Sequence, residues 1–255
     1  MRKNNLIIWI IFLFASVHAI AQTNDATALL NEASAAYEAK SYDEAIKRYE
    51  QILKQGDHSV TVYNNLGSSH YQKGDFAYAV LYFEKGLKLN PFNKSILFNL
   101  NLAQEALDND IVKIPEFFLS RIWKYIYSRL SANTWFIFSL LSLCACVYAL
   151  GLWLLGANRQ TKKKGFLAGL SLLGLAIFSF FLSQSRANFQ YSSNTAIVLP
   201  SDTPLKSAPE EANDPIMILE PGVKLFILDE IGEYKKVKLE NGQIGWVLQG
   251  SFLPI

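Results

Sequence analysis

Two uncharged apolar runs, TWFIFSLLSLCACVYALGLWLL at 134–155 and FLAGLSLLGLAIFSFFLSQS at 166–185, constrain this chain more than anything else in it. About 20 apolar residues rising 1.5 Å each cross the hydrocarbon of a bilayer. Lipid offers the backbone no water to bond, so each run is expected to be a helix. Between them lies a basic segment at 156–165, whose Ala157–Gly165 stretch holds Arg159, Lys162, Lys163 and Lys164. The pattern predicts a transmembrane hairpin with both flanks on one side. The positive-inside rule puts the loop in the cytoplasm. No charge interrupts either span, whereas a transporter or channel places ionisable groups there. The hairpin therefore reads as an anchor or as a docking surface for other helices. Cys144 and Cys146 are two apart, about 200° around a helix, and cannot join each other. Gly151, Gly165, Gly169 and Gly174 are placed to let the two helices approach closely.

The formal charge of +2 hides an uneven distribution. Residues 22–120 carry 13 acids and nine bases, and residues 187–255 carry nine acids and five bases, so each is −4. The excess base sits at 2–3, 121–129, 159–164 and 186, all next to apolar segments. That placement expresses membrane topology and excludes nucleic-acid binding, which needs a basic stripe on a water-facing domain. Both cysteines fall inside the first span, so no disulfide framework is expected.

Residues 1–21 have a charged start at Arg2 and Lys3, an apolar segment Leu6–Ala15, and Ala19-Ile20-Ala21 before Gln22. This is the pattern of a cleaved secretory signal peptide. An uncleaved anchor helix is the other reading, and the apolar run is short for a span. No cysteine follows to carry a lipid.

Residues 22–110 contain a period of 34, at 26–59 and 60–93, followed by a capping helix at 94–107. In the second copy Tyr63, Leu66 and Gly67 open one helix, Gly74-Asp75 makes a turn, and Phe76, Ala79, Phe83 and Leu87 line the next helix before Asn90-Pro91. The first copy offers Ala33, Ser41, Tyr42, Ala45, Tyr49 and Leu53. Small residues admit close helix approach, and glycine at 74 permits a positive φ. These residues resemble the tetratricopeptide repeat. The first copy departs from it, with Glu32 in place of a leucine and Lys40 in place of glycine. The resemblance implies a concave face that carries peptide ligands. Here that face would hold Ser34, Tyr37, Asn64, Ser68 and Tyr71, which are otherwise plain solvated helix positions. Three repeats are usually needed for independent stability. The stack is therefore expected to dock on a partner, on its own membrane segment or on another copy.

Residues 111–133 are expected to form an amphipathic interfacial helix starting at Pro115. Phe118, Ile122 and Ile126 run beside Leu119, Trp123, Tyr127 and Leu130, with Arg121, Lys124 and Ser128 on another face. Rings at the headgroups and cations toward phosphates suit the bilayer interface; a helix packed beneath the repeats is the alternative.

Residues 186–255 switch to alternation. Asn194–Leu199, Met217–Leu219, Leu225–Glu230, Tyr234–Leu239 and Gly245–Leu248 read as five strands, with an Asn241-Gly242 hairpin signal. Their order resembles a bacterial SH3-like barrel, Gly245-Trp246 standing at that family's Gly-Trp pair and Ala208–Pro215 at its variable loop. Five strands closed into a barrel would hide their edges. The resemblance implies binding of peptides or cell-wall material at Tyr234 and Trp246, residues that equally serve packing.

Catalytic constellations do not emerge. His18, His58 and His70 do not cluster as a metal site does. Gly67-Ser68-Ser69-His70 lies within a helix, unlike a hydrolase elbow. Glu210-Glu211 sit together in a loop, a poor glycosidase pair. No enzyme, metal or cofactor is expected.

Signal, repeats, interfacial helix, hairpin and barrel together describe a multi-domain membrane protein. The order resembles the BatE-type proteins of the Bat aerotolerance operon, with Ser131-Ala132-Asn133-Thr134-Trp135 leading into the first span. The resemblance implies a non-catalytic scaffold in the bacterial inner membrane with both water-facing domains in the periplasm. It implies partners among von Willebrand factor A-type membrane proteins and a MoxR-type ATPase, and a link to oxygen or envelope stress. The alternative is a peptidoglycan-binding adaptor that recruits a hydrolase.

Overall fold

The computed structural model describes residues 27–107, 111, 114–115, 117–210 and 214–255. Residues 1–21, read above as a signal peptide, lie outside them. The chain forms two compact units, one combining the residues up to Lys113 with Asn194–Ile255, the other Ile114–Ser193.

The first unit begins with antiparallel helices: α1 at 27–38, α2 at Tyr42–Lys54, α3 at Val60–Lys73, α4 at Phe76–Leu89 and α5 at Lys94–Leu107. Local signals set their ends. Ser59 accepts from the Val62 N–H to start α3, and Asn93 accepts from the Ile96 N–H to start α5. Gly74 ends α3 at φ +93°, and the matching residue one repeat earlier, Lys40, adopts φ +58°. A lysine there accepts a left-handed strain that glycine avoids, which is why the first repeat departs from the glycine pattern at a cost. Gly67 is where two helices nearly touch: a Cβ on it would stand 2.6 Å from the Phe83 ring. Leu29, Ala33, Tyr49, Ile52 and Leu66 make one core, and Ala79, Phe83, Leu87, Ile96 and Leu100 the next.

That second core includes Ile197, a residue of the C-terminal sheet, 0% exposed. The open end of the repeat stack is thus covered by the chain's own strands, an occupant other than the partner, membrane segment or second copy expected. Polar contacts flank the seam. Lys224 Nζ donates to Glu84 Oε2 at 2.7 Å, and Lys88 Nζ donates to the Ile255 carbonyl at 2.7 Å.

The sheet has seven strands: β1 Thr195–Val198, β2 Thr203–Lys206, β3 Pro215–Leu219, β4 Lys224–Ile231, β5 Tyr234–Leu239, β6 Ile244–Leu248 and β7 Phe252–Pro254. All neighbours are antiparallel, in the order β3-β2-β6-β5-β4-β1-β7. The sheet is not closed into a barrel, which corrects the expectation of a five-stranded SH3-like barrel. The outer strands explain the open edges. β3 starts at Pro215 and β7 ends at Pro254, and proline donates nothing to a further ladder. The Asn241-Gly242 turn sits between β5 and β6, with Gly242 at φ +87°. Gly245 lets β2 cross close, since a Cβ there would lie 2.6 Å from Leu205 Cγ. Ala196, Val198, Leu205, Leu219, Leu225, Val237 and Val247 fill one face.

The second unit holds α6 at Phe118–Tyr127, α7 at Ala132–Leu155 and α8 at Arg159–Tyr191. Helix α6 starts at Phe118, not at Pro115. It lies along α8: Trp123 Nε1 donates to Ser185 Oγ at 3.1 Å, and the Tyr127 and Phe189 rings are 6.0 Å apart. Ser131 caps α7 by accepting from the Thr134 N–H. Asn158 caps α8 by accepting from the Thr161 N–H at 2.8 Å. That cap draws Arg159, Lys162, Lys163 and Lys164 into the first turns of α8, so the connection shrinks from 156–165 to Gly156–Asn158. Helices α7 and α8 pack tightly at two glycines. A Cβ on Gly165 would meet the Ala149 carbonyl at 2.7 Å, and one on Gly169 would meet Leu150 at 2.9 Å, while Gly151 and Gly174 face open space. Ser139 and Ser183 hydroxyls donate to the Ala176 and Ala132 carbonyls, and Cys146 Sγ to the Gly169 carbonyl at 3.2 Å. Both helices are long and apolar enough to cross a membrane. At about 1.5 Å per residue, α8 is about 50 Å long, more than the hydrocarbon needs.

Ile197→Ala is expected to cost about 2–5 kcal/mol. Hydrogen exchange should then speed up in α4 and α5 as well as in β1; unchanged repeat helices would refute the shared core. A second prediction concerns His70, which stacks between Tyr78 and Tyr82 at 5.1 and 5.3 Å. Burial lowers its pKa, with Asp75 at 3.4 Å pulling upward and Lys73 downward. Folding therefore favours the neutral ring. The stability this contributes is present above about pH 6.5 and is lost as pH falls through and below that value. His70→Phe should flatten the pH dependence of the unfolding midpoint in that range.

Candidate functional site

Helices α1, α3 and α5 present one side of the repeat stack. The hydroxyls of Ser34 and Ser68 donate to the carbonyls four residues back, Leu30 and Asn64, each at 2.9 Å. With that proton committed, Ser34 Oγ is left to accept from the Tyr49 hydroxyl at 3.3 Å. Two adjoining clefts result, sharing Tyr37 and Ser68. One, of 320 Å³, is lined by Ser34, Tyr37, Glu38, Tyr49, Asn65 and Ser68. The other, of 190 Å³, adds Tyr71, Gln72, Phe83, Asn99 and Leu102. Burial raises the pKa of the Tyr37 phenol, Tyr42 adds to this, and a Gln72 hydrogen bond opposes it. The phenol stays neutral and able to donate.

Asn99 ties α5 to α3: its Nδ2 donates to Asn64 Oδ1 at 3.2 Å and to Ser68 Oγ at 3.5 Å. The structure thus brings Ser34, Tyr37, Ser68 and Tyr71 to the clefts, with Asn64 in the hydrogen-bonded network beside them. Asn65, Asn99, Glu38, Gln72 and Leu102 are additions that sequence reasoning missed. A signal for the asparagines was present: Asn31, Asn65 and Asn99 are spaced by the repeat length of 34. Carboxamides at fixed rise suit an extended backbone, because each offers both a donor and an acceptor.

Tyr234 and Trp246 lie elsewhere, lining neither cleft. Register places Lys236 opposite Trp246 and Tyr234 opposite Leu248, on the face away from Val237 and Val247. Trp246 is only 8% exposed. Lys236 Nζ stands 5.9 Å from its ring centre and Lys206 Nζ 5.8 Å from that of Tyr234, cation–π distances. Among the described residues no three His, Cys, Asp or Glu side chains gather as a metal site.

Residues 25–94 match the family model for the tetratricopeptide repeat. This part of the chain is similar to that repeat. A stretch of 82 residues, 32% of the chain, is 30% identical to sperm-associated antigen 1 of Rattus norvegicus. The matched stretch spans 9% of that protein. Tetratricopeptide repeats are in general protein-interaction modules without catalytic chemistry, and the clefts between α1, α3 and α5 lie on the repeat helices themselves.

Asn99→Ala removes two hydrogen bonds from a half-buried position. It should destabilise the α3–α5 contact by about 1–2 kcal/mol, read as faster exchange of α5 amides with α1 and α2 unchanged.

Proposed function

We propose that the protein is a non-catalytic membrane-anchored scaffold that binds an extended segment of a partner protein along its tetratricopeptide groove. The hydrogen-bonding ladder of Asn65, Ser68 and Asn99 flanked by Tyr37 and Tyr71 is the observation that carries this reading.

The α7–α8 hairpin is the anchor. It is supported by length and composition, and by an independent constraint from folding. Ile197 belongs to the same buried core as Phe83 and Ile96, and β1 packs on α4, so residues on either side of the hairpin share one core and hence one compartment. An even number of crossings satisfies that, an odd number does not. Arg159–Lys164 at the connection then mark the cytoplasmic side, and the repeats and sheet face the periplasm of a bacterial inner membrane. Helix α6, with Phe118, Leu119 and Ile122 exposed beside Arg121, serves as the interfacial helix. The module order supports a Bat-type complex, with von Willebrand factor A-type membrane proteins as partners and a link to aerotolerance or envelope stress. Peptidoglycan binding at Tyr234 and Trp246 has less support, since a tryptophan 8% exposed beneath a lysine offers little ring for sugar stacking.

Two measurements test this. Reporter fusions after residues 110, 161 and 255 should read outside, inside, outside; an inside C-terminal fusion ends the hairpin reading. A photo-crosslinking residue in place of Ser68, in native membranes, should capture a discrete protein that Asn65→Ala releases. Recovery of no protein would sink the scaffold.

A further inference from the structure

The side chains along the groove restrict what can lie in it. Neither cleft is lined by a lysine or arginine. Of the two cations on α3 and α5, Lys73 is held by Asp43 at 3.0 Å and Asp75 at 3.1 Å, and Lys94 stands at the first residue of α5. Carboxylates, by contrast, flank the groove. Glu38 lines the larger cleft and is exposed. Glu105, also exposed, follows Leu102 by one helical turn, at the position one repeat after Tyr71. The rings of Tyr37 and Tyr71 add faces that attract cations.

The groove also changes character along its length. The positions of Asn64 and Ser68 are taken one repeat later by Phe98 and Leu102. Phe98 is 64% exposed, a large ring with little of its surface covered in this chain. The α5 side of the groove therefore adds an apolar surface beside Glu105, while the α1–α3 side is polar.

Resting on the groove reading above, we propose that the bound partner segment is basic: an extended peptide with a large apolar side chain for Phe98 and Leu102 and lysine or arginine side chains for Glu38, Glu105 and the tyrosine faces. An acidic side chain there would meet no cation in either cleft lining, and the flanking carboxylates would repel it.

Fluorescence anisotropy with the full chain in a neutral detergent at low salt tests this. The probes are labelled twelve-residue peptides repeating Leu-Ser-Lys, Leu-Ser-Gln, Leu-Ser-Glu or Ser-Ser-Lys. The Leu-Ser-Lys peptide should bind about 5-fold or more tighter than Leu-Ser-Gln, with Leu-Ser-Glu weakest. The E38Q/E105Q double variant should remove most of that preference, bringing Leu-Ser-Lys binding down toward that of Leu-Ser-Gln. F98A should weaken the leucine peptides and spare Ser-Ser-Lys. Equal binding of all leucine peptides, or a lysine preference that survives E38Q/E105Q, overturns the basic partner while leaving the groove in place. Failure of every peptide, or binding indifferent to N65A, overturns the groove and the proposal with it.

Discussion

The packing of β1 on α4, with Ile197 in the core that α4 shares with α5, is the contact on which the rest depends. Two repeats and one further helix leave an apolar end, because α4 and α5 have no next repeat to meet. In a solenoid each unit buries its face on a neighbour. Here the neighbour is a β-strand more than 100 residues further along the chain. Lys224 and Glu84 are mostly buried at the edge of this seam, where a missing partner costs more than at an exposed pair. Ile111, just before the second unit, packs on the sheet core as well. The chain therefore leaves and re-enters one compact unit around its longest apolar helices.

Much of this was legible in the residues. The 34-residue period fixed helix positions because small and aromatic residues recur where helices touch, Gly67 against Phe83 being the tightest case. The apolar runs were legible by length. Helix ends were less so, because capping outcompeted composition: Asn158 begins α8 before the four cations that look like loop. Strand β2 escaped notice because Thr-Pro-Leu-Lys is short and contains proline, a residue tolerated only near edges and irregularities. It meets β6 at a single register pair, Lys206 with Trp246. Closure of the sheet was the wrong inference from the Gly-Trp pair. Gly245 is explained by the close passage of Leu205, a local need that arises whether or not a barrel closes.

The candidate groove was half visible. Residues at repeat spacing that carry hydroxyls or rings stand out, so Ser34, Tyr37, Ser68 and Tyr71 could be placed on one face. Asn99 could not, because its importance comes from α5 serving as a third inner helix. A helix regarded only as a cap has no reason to contribute side chains to a ligand face. Once α5 is seen to pair with α4 and to be bonded to α3 through Asn64, its outward residues become groove residues.

A short solenoid with a foreign cap has one more physical consequence. In a long array, strain at one repeat spreads over many interfaces, and binding can be accommodated by small changes in superhelical twist. Here α4 carries β1 of a sheet that has a core of its own, with Leu225 and Val237 fully buried. The third wall of the groove therefore cannot follow a ligand without disturbing the Ile197 seam. Such a groove is preorganised, so less ordering entropy is lost on binding and a mismatched segment is rejected more sharply. The same rigidity makes the groove sensitive to the sheet: loosening β1 loosens α5, and with it the position of Asn99.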